Sequence, residues 1–343
     1  MATIEDVAKL AGVSRMTVSR VINNSGYVGK ETRKNVESAI QAMNFKPNQV
    51  AKALATKKQK TIAYVMVNIA DPFHNIVKQG FESVAYHRTY TSIMCDVHSA
   101  KRQQDYIDSF QENRTGGVVF HHLAITQDMV DELKNSGIEC VLIDNEYDLD
   151  GVSMISTDNY SGAKMAVNYL IERGHKQIAC VHGVLEPYSG RDVPYEDTFQ
   201  FRIWHQRTDG FKDAMKENGL NPNNLFQCNG RADIAVQYAD AIIDQILASS
   251  DKITAIYCEN DIMALTIVKT LQERNVKIPD QIAIVGHDGL DMVSMLHPQI
   301  TTVAQPRHEM GKLAAEILID QIENHSEPQK ILLEPKLIAG ETT

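Results

Sequence analysis

TIEDVAKLAGVSRMTVSRVIN, residues 3–23, encodes two short helices and the turn between them. Thr3 followed by Asp6 is a T-x-x-D signature, in which hydroxyl and carboxylate cap the first helix reciprocally. Ile4, Val7, Ala8 and Ala11 then recur at helical spacing and make one apolar face. Gly12-Val13 breaks that helix, and Ser14 is a good N-cap for a second one running to about Asn23. A connection of about three residues between two helices is that of a helix-turn-helix unit. In the second helix Val18, Val21 and Ile22 face inward, which leaves Arg15, Met16, Ser19 and Arg20 on the outer face. A recognition helix presents side chains to base edges in the major groove from this position, and Thr17 is placed to bond a phosphate. A third helix is expected over about residues 31–43, with Val36, Ile40 and Met43 inward and Asn44 as a left-handed stop.

Pro47-Asn48 punctuates the chain after this unit. Residues 49–56 can make two or three helical turns before the basic run Lys57-Lys58-Gln59-Lys60. Such a segment is too short to be a stable helix by itself. It reads either as a plain linker or as a hinge that folds on DNA. In the second case Ala51 and Ala53 permit close approach of a second copy, and Leu54 wedges between base pairs in the minor groove.

The net charge of −10 conceals an asymmetry. Residues 1–60 hold 11 basic and 4 acidic side chains, a net +7, whereas the remaining 283 hold 23 and 40, a net −17. A basic head on an acidic body suits nucleic-acid contact in one place, although charge alone also suits a solubilising run. At 343 residues the chain is long enough for two or three compact units. It has no export-signal pattern and no membrane span. Cys95, Cys140, Cys180, Cys228 and Cys258 lack any paired spacing and read as reduced core thiols, so a cytoplasmic location is expected.

The run over residues 3–23 resembles the signature of the lactose/galactose repressor family. Val28, Thr32-Arg33, Phe45-Lys-Pro-Asn48 and the run from Ala51 to Ala55 match it as well, and the similarity extends from about residue 2 to the end. The resemblance implies that the second helix reads an operator through Arg15, Met16 and Arg20, and that Leu54 of the hinge intercalates. DNA contact is also expected of Ser14, Thr17, Ser19, Asn23, Tyr27, Thr32, Asn48 and Ala51. The implied fold is a small all-α helix-turn-helix head with a hinge helix, followed by an α/β two-lobed body of the periplasmic-binding-protein type with parallel sheets. The corresponding divisions are residues 1–46, 47–60 and 61–343. Within the body, one lobe is expected from 61–160 plus 290–322, the other from 161–289 plus 323–343.

The body also reads this way from its residues. Apolar runs at 62–67, 92–97, 117–120, 140–143, 177–181, 255–258 and 282–285 suggest buried strands, with amphipathic helices between them, such as 161–173 stopped by Gly174. That alternation implies parallel sheets wound with helices. Ligands of such sheets bind beyond the carboxyl ends of the strands. Those ends carry Asp71-Pro-Phe73 with His74 and Asn75, His121-His122, Asp144-Asn145, Glu259-Asn260-Asp261 and Gly286-His-Asp288. Asp158-Asn159 falls near an expected crossover between lobes. An aromatic face with Arg, Asn and Asp is a sugar-binding inventory, although each acid singly also reads as a helix cap or turn former. The resemblance places Phe73, Asp158, Arg207, Asn260 and Asp288 in an effector cleft, and Asp71, His121 and Trp204 are added as candidates. Arg207 and Asp288 are the leading pair.

Two features depart from the family pattern. Residues 184–206 are 23 where the family has about ten, and they carry Tyr188, Arg191, Tyr195, Phe199, Phe201 and Trp204, the only tryptophan. They read equally as a ligand flap or as a surface loop with its own cluster. Near the C-terminus Gly340 stands where an arginine is common, and the chain ends without a heptad tail, so a homodimer is expected rather than a tetramer. Scattered acids and the absence of G-x-S-x-G, H-E-x-x-H and Walker A patterns argue against an enzyme. No cofactor is expected, and no metal, because adjacent histidines in an extended segment point to opposite sides. An exported solute-binding protein would share the body but not the head. The expected partners are near-palindromic double-stranded operator DNA and a small-molecule effector, a sugar by the inventory above, acting as inducer or corepressor. Some members of the family bind a phosphorylated carrier protein instead.

Overall fold

A computed structural model describes residues 2–22, 25–45, 60–97, 99–123, 125–145, 148–184, 200–229 and 232–343, which form two units, 1–59 and 60–343. Asn23 and the hinge positions Asn48, Ala51 and Leu54 lie outside the described residues.

Among the described residues the first unit has three helices, α1 (Ile4–Ala11), α2 (Arg15–Ile22) and α3 (Lys30–Ala42). The Thr3 hydroxyl accepts from Asp6 N at 3.2 Å, and Thr3 N donates to Asp6 Oδ2 at 2.9 Å, which closes the expected box. Gly12 ends α1 in the left-handed region at φ 66°, where a Cβ is disfavoured. Ser14 Oγ accepts from Thr17 N at 3.1 Å and caps α2. Val7, Ala8, Val18, Val21, Val36 and Ala39 form the core, with Ile4, Ile22, Ile40 and Met43 packed around it. So small a core relies on such caps, each worth about 1 kcal/mol. Asn44 takes φ 46° after α3, as a left-handed stop should.

Among the described residues the second unit has two six-stranded sheets. In the first the order is β11 (Lys330–Leu333), β5 (Ser153–Thr157), β4 (Glu139–Ile143), β3 (Gly117–His121), β1 (Thr61–Met66) and β2 (Thr91–Asp96). In the second it is β12 (Lys336–Ile338), β10 (Thr301–Ala304), β9 (Ala283–Asp288), β8 (Ala255–Cys258), β6 (Ile178–Val184) and β7 (Leu225–Asn229). All pairings are parallel except that of β12 with β10. Central strands such as β3 and β9 are buried along their whole length, because helices cover both faces.

The helices are α4 (Pro72–His87), α5 (Ala100–Glu112), α6 (Gln127–Asn135), α7 (Asn159–Glu172), α8 (Gln200–Glu217), α9 (Ala232–Ala248), α10 (Asp261–Glu273) and α11 (Arg307–Asn324). Among the described residues no helix is long and apolar enough to cross a membrane.

The lobe boundaries differ from expectation at two of three crossings. The chain leaves the first sheet after β5, close to the expected position. It returns only after β10, which pairs with β9 in the second sheet, so residues 290–304 do not belong to the first lobe. It leaves again after β11, which pairs with β5 in the first sheet, so 330–333 do not belong to the second. The reason is local: TTVA and KILL are four-residue strands with no long apolar run to advertise them. Gly340 also has a structural reason, since a Cβ there would lie 2.4 Å from the Gln299 carbonyl oxygen.

Candidate functional site

The exposed face of α2 is as the spacing predicts. Met16 is 64% exposed, Arg15 and Arg20 are exposed, and Ser19 is half-buried on the same helix. Arg15 Nη1 lies 3.5 Å from Glu5 Oε1, and a surface pair of this kind is weak enough to be exchanged for another partner. Thr17 Oγ1 is 2.9 Å from Ser14 Oγ, so the two hydroxyls sit together at the helix start. Tyr27 is 93% exposed, and Thr32 is half-buried in the first turn of α3.

In the body, the carboxyl ends of both sheets carry a dense polar site. Arg207 projects from α8 and is buried. Its Nε donates to Asn159 Oδ1 at 2.8 Å, its Nη1 donates to the Glu259 carbonyl, and its Nη2 lies 3.1 Å from Asp288 Oδ1. Asp288 is the last residue of β9 and takes φ 114°, outside the usual range for a residue with a Cβ. The Gln305 amide donates to the same Oδ1 at 2.8 Å. Burial pushes the Asp288 carboxyl up, the Arg207 guanidinium opposes this, and the charge of Asp71 adds to the rise. Asp71 begins the first lobe's wall, so the carboxyl ends of β1 and β9 are close enough to feel each other. Trp204, one turn before Arg207, has its ring centroid 5.7 Å from the guanidinium and covers Gly183.

The first lobe contributes an aromatic wall. Asp71 caps α4 by accepting from Phe73 N at 2.8 Å. The buried Phe73 ring stacks on His122 with centroids 5.8 Å apart and planes 8° apart. His74 Nε2 is 2.9 Å from His122 Nδ1, and His121 Nδ1 is 2.7 Å from the Tyr64 hydroxyl. The expectation that His121 and His122 point to opposite sides fails. The strand ends at His121, and His122 takes φ 52°, a left-handed turn that brings the rings to 4.5 Å between centroids. Burial, reinforced by the neighbouring imidazoles, holds His121 well below the ordinary histidine range.

Several candidates also have the plainer role considered for them. Asp158 caps α7 by accepting from Ser161 N at 2.9 Å, and Asn260 caps α10 by accepting from Met263 N at 2.7 Å. Asp158 and Asn159 line a cavity of about 200 Å³ together with Asp144, Asn145, Arg202 and Lys330. Trp204 lies in α8 rather than in a loop, because the helix begins at Gln200; residues 185–199 of the insertion lie outside the described residues. Sequence reading underweighted Asn159 and Gln305, which hold the two members of the Arg207–Asp288 pair. Asn159 adjoins the candidate Asp158, whereas Gln305 follows a strand too short to be recognised from its sequence.

Two further acids are buried beside the pair. Glu259 accepts from Thr208 Oγ1 at 2.6 Å and is pushed up to about 8 by burial. Asp261 accepts from Thr302 Oγ1 and Leu290 N, both at 2.6 Å, and is also pushed up to about 8, first by burial and then by Asp288. A folded carboxyl raised above its unfolded value keeps its proton where the unfolded chain has lost it. Stability is therefore expected to fall as pH rises from about 5 to about 8. Thermal unfolding across that range should show it, and Glu259→Gln should flatten the slope; a slope unchanged in that variant would remove Glu259 as a source.

The sequence profile of "Bacterial regulatory proteins, lacI family" matches residues 3–48, and that of "Periplasmic binding protein-like domain" matches residues 167–343. Among curated relatives, the HTH-type transcriptional repressor PurR of Photobacterium profundum is 32% identical over 98% of this chain and 97% of its own length. PurR of Vibrio vulnificus is 33% identical over 100% of this chain and 98% of its own. Among solved structures, a transcriptional regulator CelR–cellobiose complex aligns with TM-score 0.71 and 25% identity over all of both chains. The lac repressor dimer bound to operator and the anti-inducer ONPF shares the fold, with TM-score 0.83 and 22% identity over 100% of this chain and 99% of its own. A periplasmic binding protein/LacI transcriptional regulator from Alkaliphilus metalliredigens, complexed with D-xylulofuranose, aligns with TM-score 0.69 and 26% identity over 83% of this chain and 99% of its own.

Proposed function

The chain belongs to the lacI family of bacterial regulatory proteins and is a DNA-binding transcriptional repressor rather than an enzyme; from that premise we propose that it represses carbohydrate-utilisation genes in the cytoplasm, as a homodimer governed by a sugar bound between the lobes. The observation that carries the sugar reading is the buried Arg207–Asp288 pair, fixed by Asn159 and Gln305, bordered by Trp204 and within reach of the charge of Asp71 from the first lobe. A guanidinium and a carboxylate held rigid can each address a vicinal diol, while aromatic faces cover the ring's C–H side. The sugars in the CelR and Alkaliphilus complexes favour the same class of ligand.

On DNA, two copies of α2 enter successive major grooves of a near-palindromic site. The hinge segments around Ala51 and Leu54 meet at the central minor groove and wedge it. Asn23, Tyr27, Thr32 and Asn48 supply backbone-side contacts. A sugar that favours one lobe arrangement changes the separation of the two hinges and so biases DNA affinity. Among the described residues none decides between a carrier protein and a small ligand.

Binding isotherms on an operator and its single-base variants test the head. Arg15→Ala and Arg20→Ala should each cost about 1–3 kcal/mol and relax preference at one base position. A uniform loss across all sequences would make the affected arginine a phosphate clamp. For the cleft, a thermal-shift screen of mono- and oligosaccharides should yield a stabilising sugar; a complete set without any shift would sink the carbohydrate reading.

A further inference from the structure

Three imidazoles meet on the first lobe's side of the cleft. One ring nitrogen from each of His74, His121 and His122 lies within 4.8 Å of the other two. They come from separate elements: His74 from the first turn of α4, His121 from the end of β3, and His122 from the left-handed turn that follows. We propose that these three histidines bind a divalent transition-metal ion of the zinc class, with Asp144 and Tyr64 orienting two of the rings.

The pattern of hydrogen bonds supports this. A metal-binding histidine engages its second nitrogen with another polar group, which fixes the ring and leaves the first nitrogen free. His121 Nδ1 is 2.7 Å from the Tyr64 hydroxyl and His74 Nδ1 is 3.4 Å from the Asn68 carbonyl oxygen, whereas His122 Nε2 faces the Asp144 carboxylate at 3.3 Å without a hydrogen bond. His74 Nε2, His121 Nε2 and His122 Nδ1 are then the nitrogens left to hold an ion. The first and third are 2.9 Å apart, where without an ion they share one proton. His121 Nε2 is fully buried and has no hydrogen-bond partner. A buried nitrogen left unpaired costs about 1–3 kcal/mol, and an ion at this point would satisfy it.

Metal chemistry selects the class of ion. A set of neutral imidazoles suits zinc, cobalt, nickel and copper rather than magnesium or calcium, which take oxygen ligands. At nitrogen distances of about 2.0–2.1 Å, tetrahedral ligand atoms stand roughly 3.3 Å apart. His74 Nε2 and His122 Nδ1 are already that close, and the three rings offer nitrogens within 4.8 Å of one another. The His122 side chain keeps 16% of its surface exposed, so a fourth position remains open to water or to an oxygen of a cleft ligand. Because all three ligands belong to one lobe, the ion binds whether or not a sugar is present.

The test uses the full chain, stripped by chelator and then titrated with zinc chloride by calorimetry and with cobalt chloride by visible absorption. One ion per chain is expected, with the strong d–d bands of tetrahedral cobalt and no thiolate charge-transfer band. His122→Asn should weaken zinc binding by more than about a hundredfold, and Asp144→Asn by about ten- to a hundredfold. His87→Asn, at an exposed histidine of α4, should leave the titration unchanged. Equal zinc affinity in wild type, His74→Asn and His122→Asn would overturn the proposal. So would the faint spectrum of octahedral cobalt in the wild type, a result that needs no variant to fold. Neither measurement involves DNA or sugar, so failure here leaves the repressor reading standing.

Discussion

Arg207→Ala is expected to lose about 3–5 kcal/mol of stability and to abolish the thermal shift that a stabilising sugar gives the wild type. The size follows from what the alanine would leave behind. Asp288 would keep its burial and lose its counter-ion at 3.1 Å, while Asn159 Oδ1 and the Glu259 carbonyl would lose their donor. Removing one member of a buried pair costs far more than the pair's net worth, because the desolvated partner remains. The loss should grow with pH. Asp288 is already raised by burial, and without Arg207 it can stay neutral only by holding a proton, which becomes harder as pH rises. Urea unfolding near pH 5 and near pH 8 measures both effects. Arg207→Met combined with Asp288→Leu should recover much of the stability without recovering the sugar shift, which separates folding from recognition. A loss below about 1 kcal/mol for the single variant would mean that water reaches the pair and that it is not a buried site.

The second large effect lies under the site. Gly80 of α4 and Gly311 of α11 bring two helix backbones into direct contact. A Cβ at Gly311 would lie 1.7 Å from the Val77 carbonyl oxygen, and one at Gly80 would lie 2.0 Å from that of His308. Backbone cannot yield as a flexible side chain can, so Gly311→Ala must push the helices apart. Overpacking of this kind reaches about 3 kcal/mol. It should also displace the start of α4, which carries Asp71, Phe73 and His74. Denaturant unfolding of Gly311→Ala should show the loss, with Gly137→Ala as a comparison, since that glycine meets no neighbour but has φ 73° and loses only the left-handed preference. Similar small losses in both would mean that the helix contact adapts.

The head was legible because its signals are local. The Thr3 box, the Gly12 stop, the Ser14 cap and the spacing of Val18 and Val21 all act within one or two helical turns. In the body the same held for long apolar strands such as β1 and β3, and for the rule that sites gather beyond strand ends. It did not hold for β10 and β11, whose four residues each acquire their identity from the neighbouring strand, and this moved two lobe boundaries. Nor could local pattern show that α8 starts before Trp204 and so places Trp204 and Arg207 on one helix. The histidines show a different limit. Period-two alternation holds only within an extended segment; the strand stops at His121, and the single left-handed residue His122 reverses the conclusion. Asp288 was legible as an acid at a strand end and Arg207 by resemblance; Asn159 and Gln305, which hold them, come from the two ends of the second lobe's main segment and meet the pair only when that lobe folds.

A repressor of the proposed kind must read a specific, two-fold DNA sequence. The direct measurement is selection of binding sites by the full-length protein from a random duplex pool, followed by sequencing. The expected result is strong enrichment of one near-palindrome, with half-sites about one helical turn apart and loss of that enrichment in Arg20→Ala. A pool that stays random under conditions where DNA is bound, or a single asymmetric site with no second half, would contradict it.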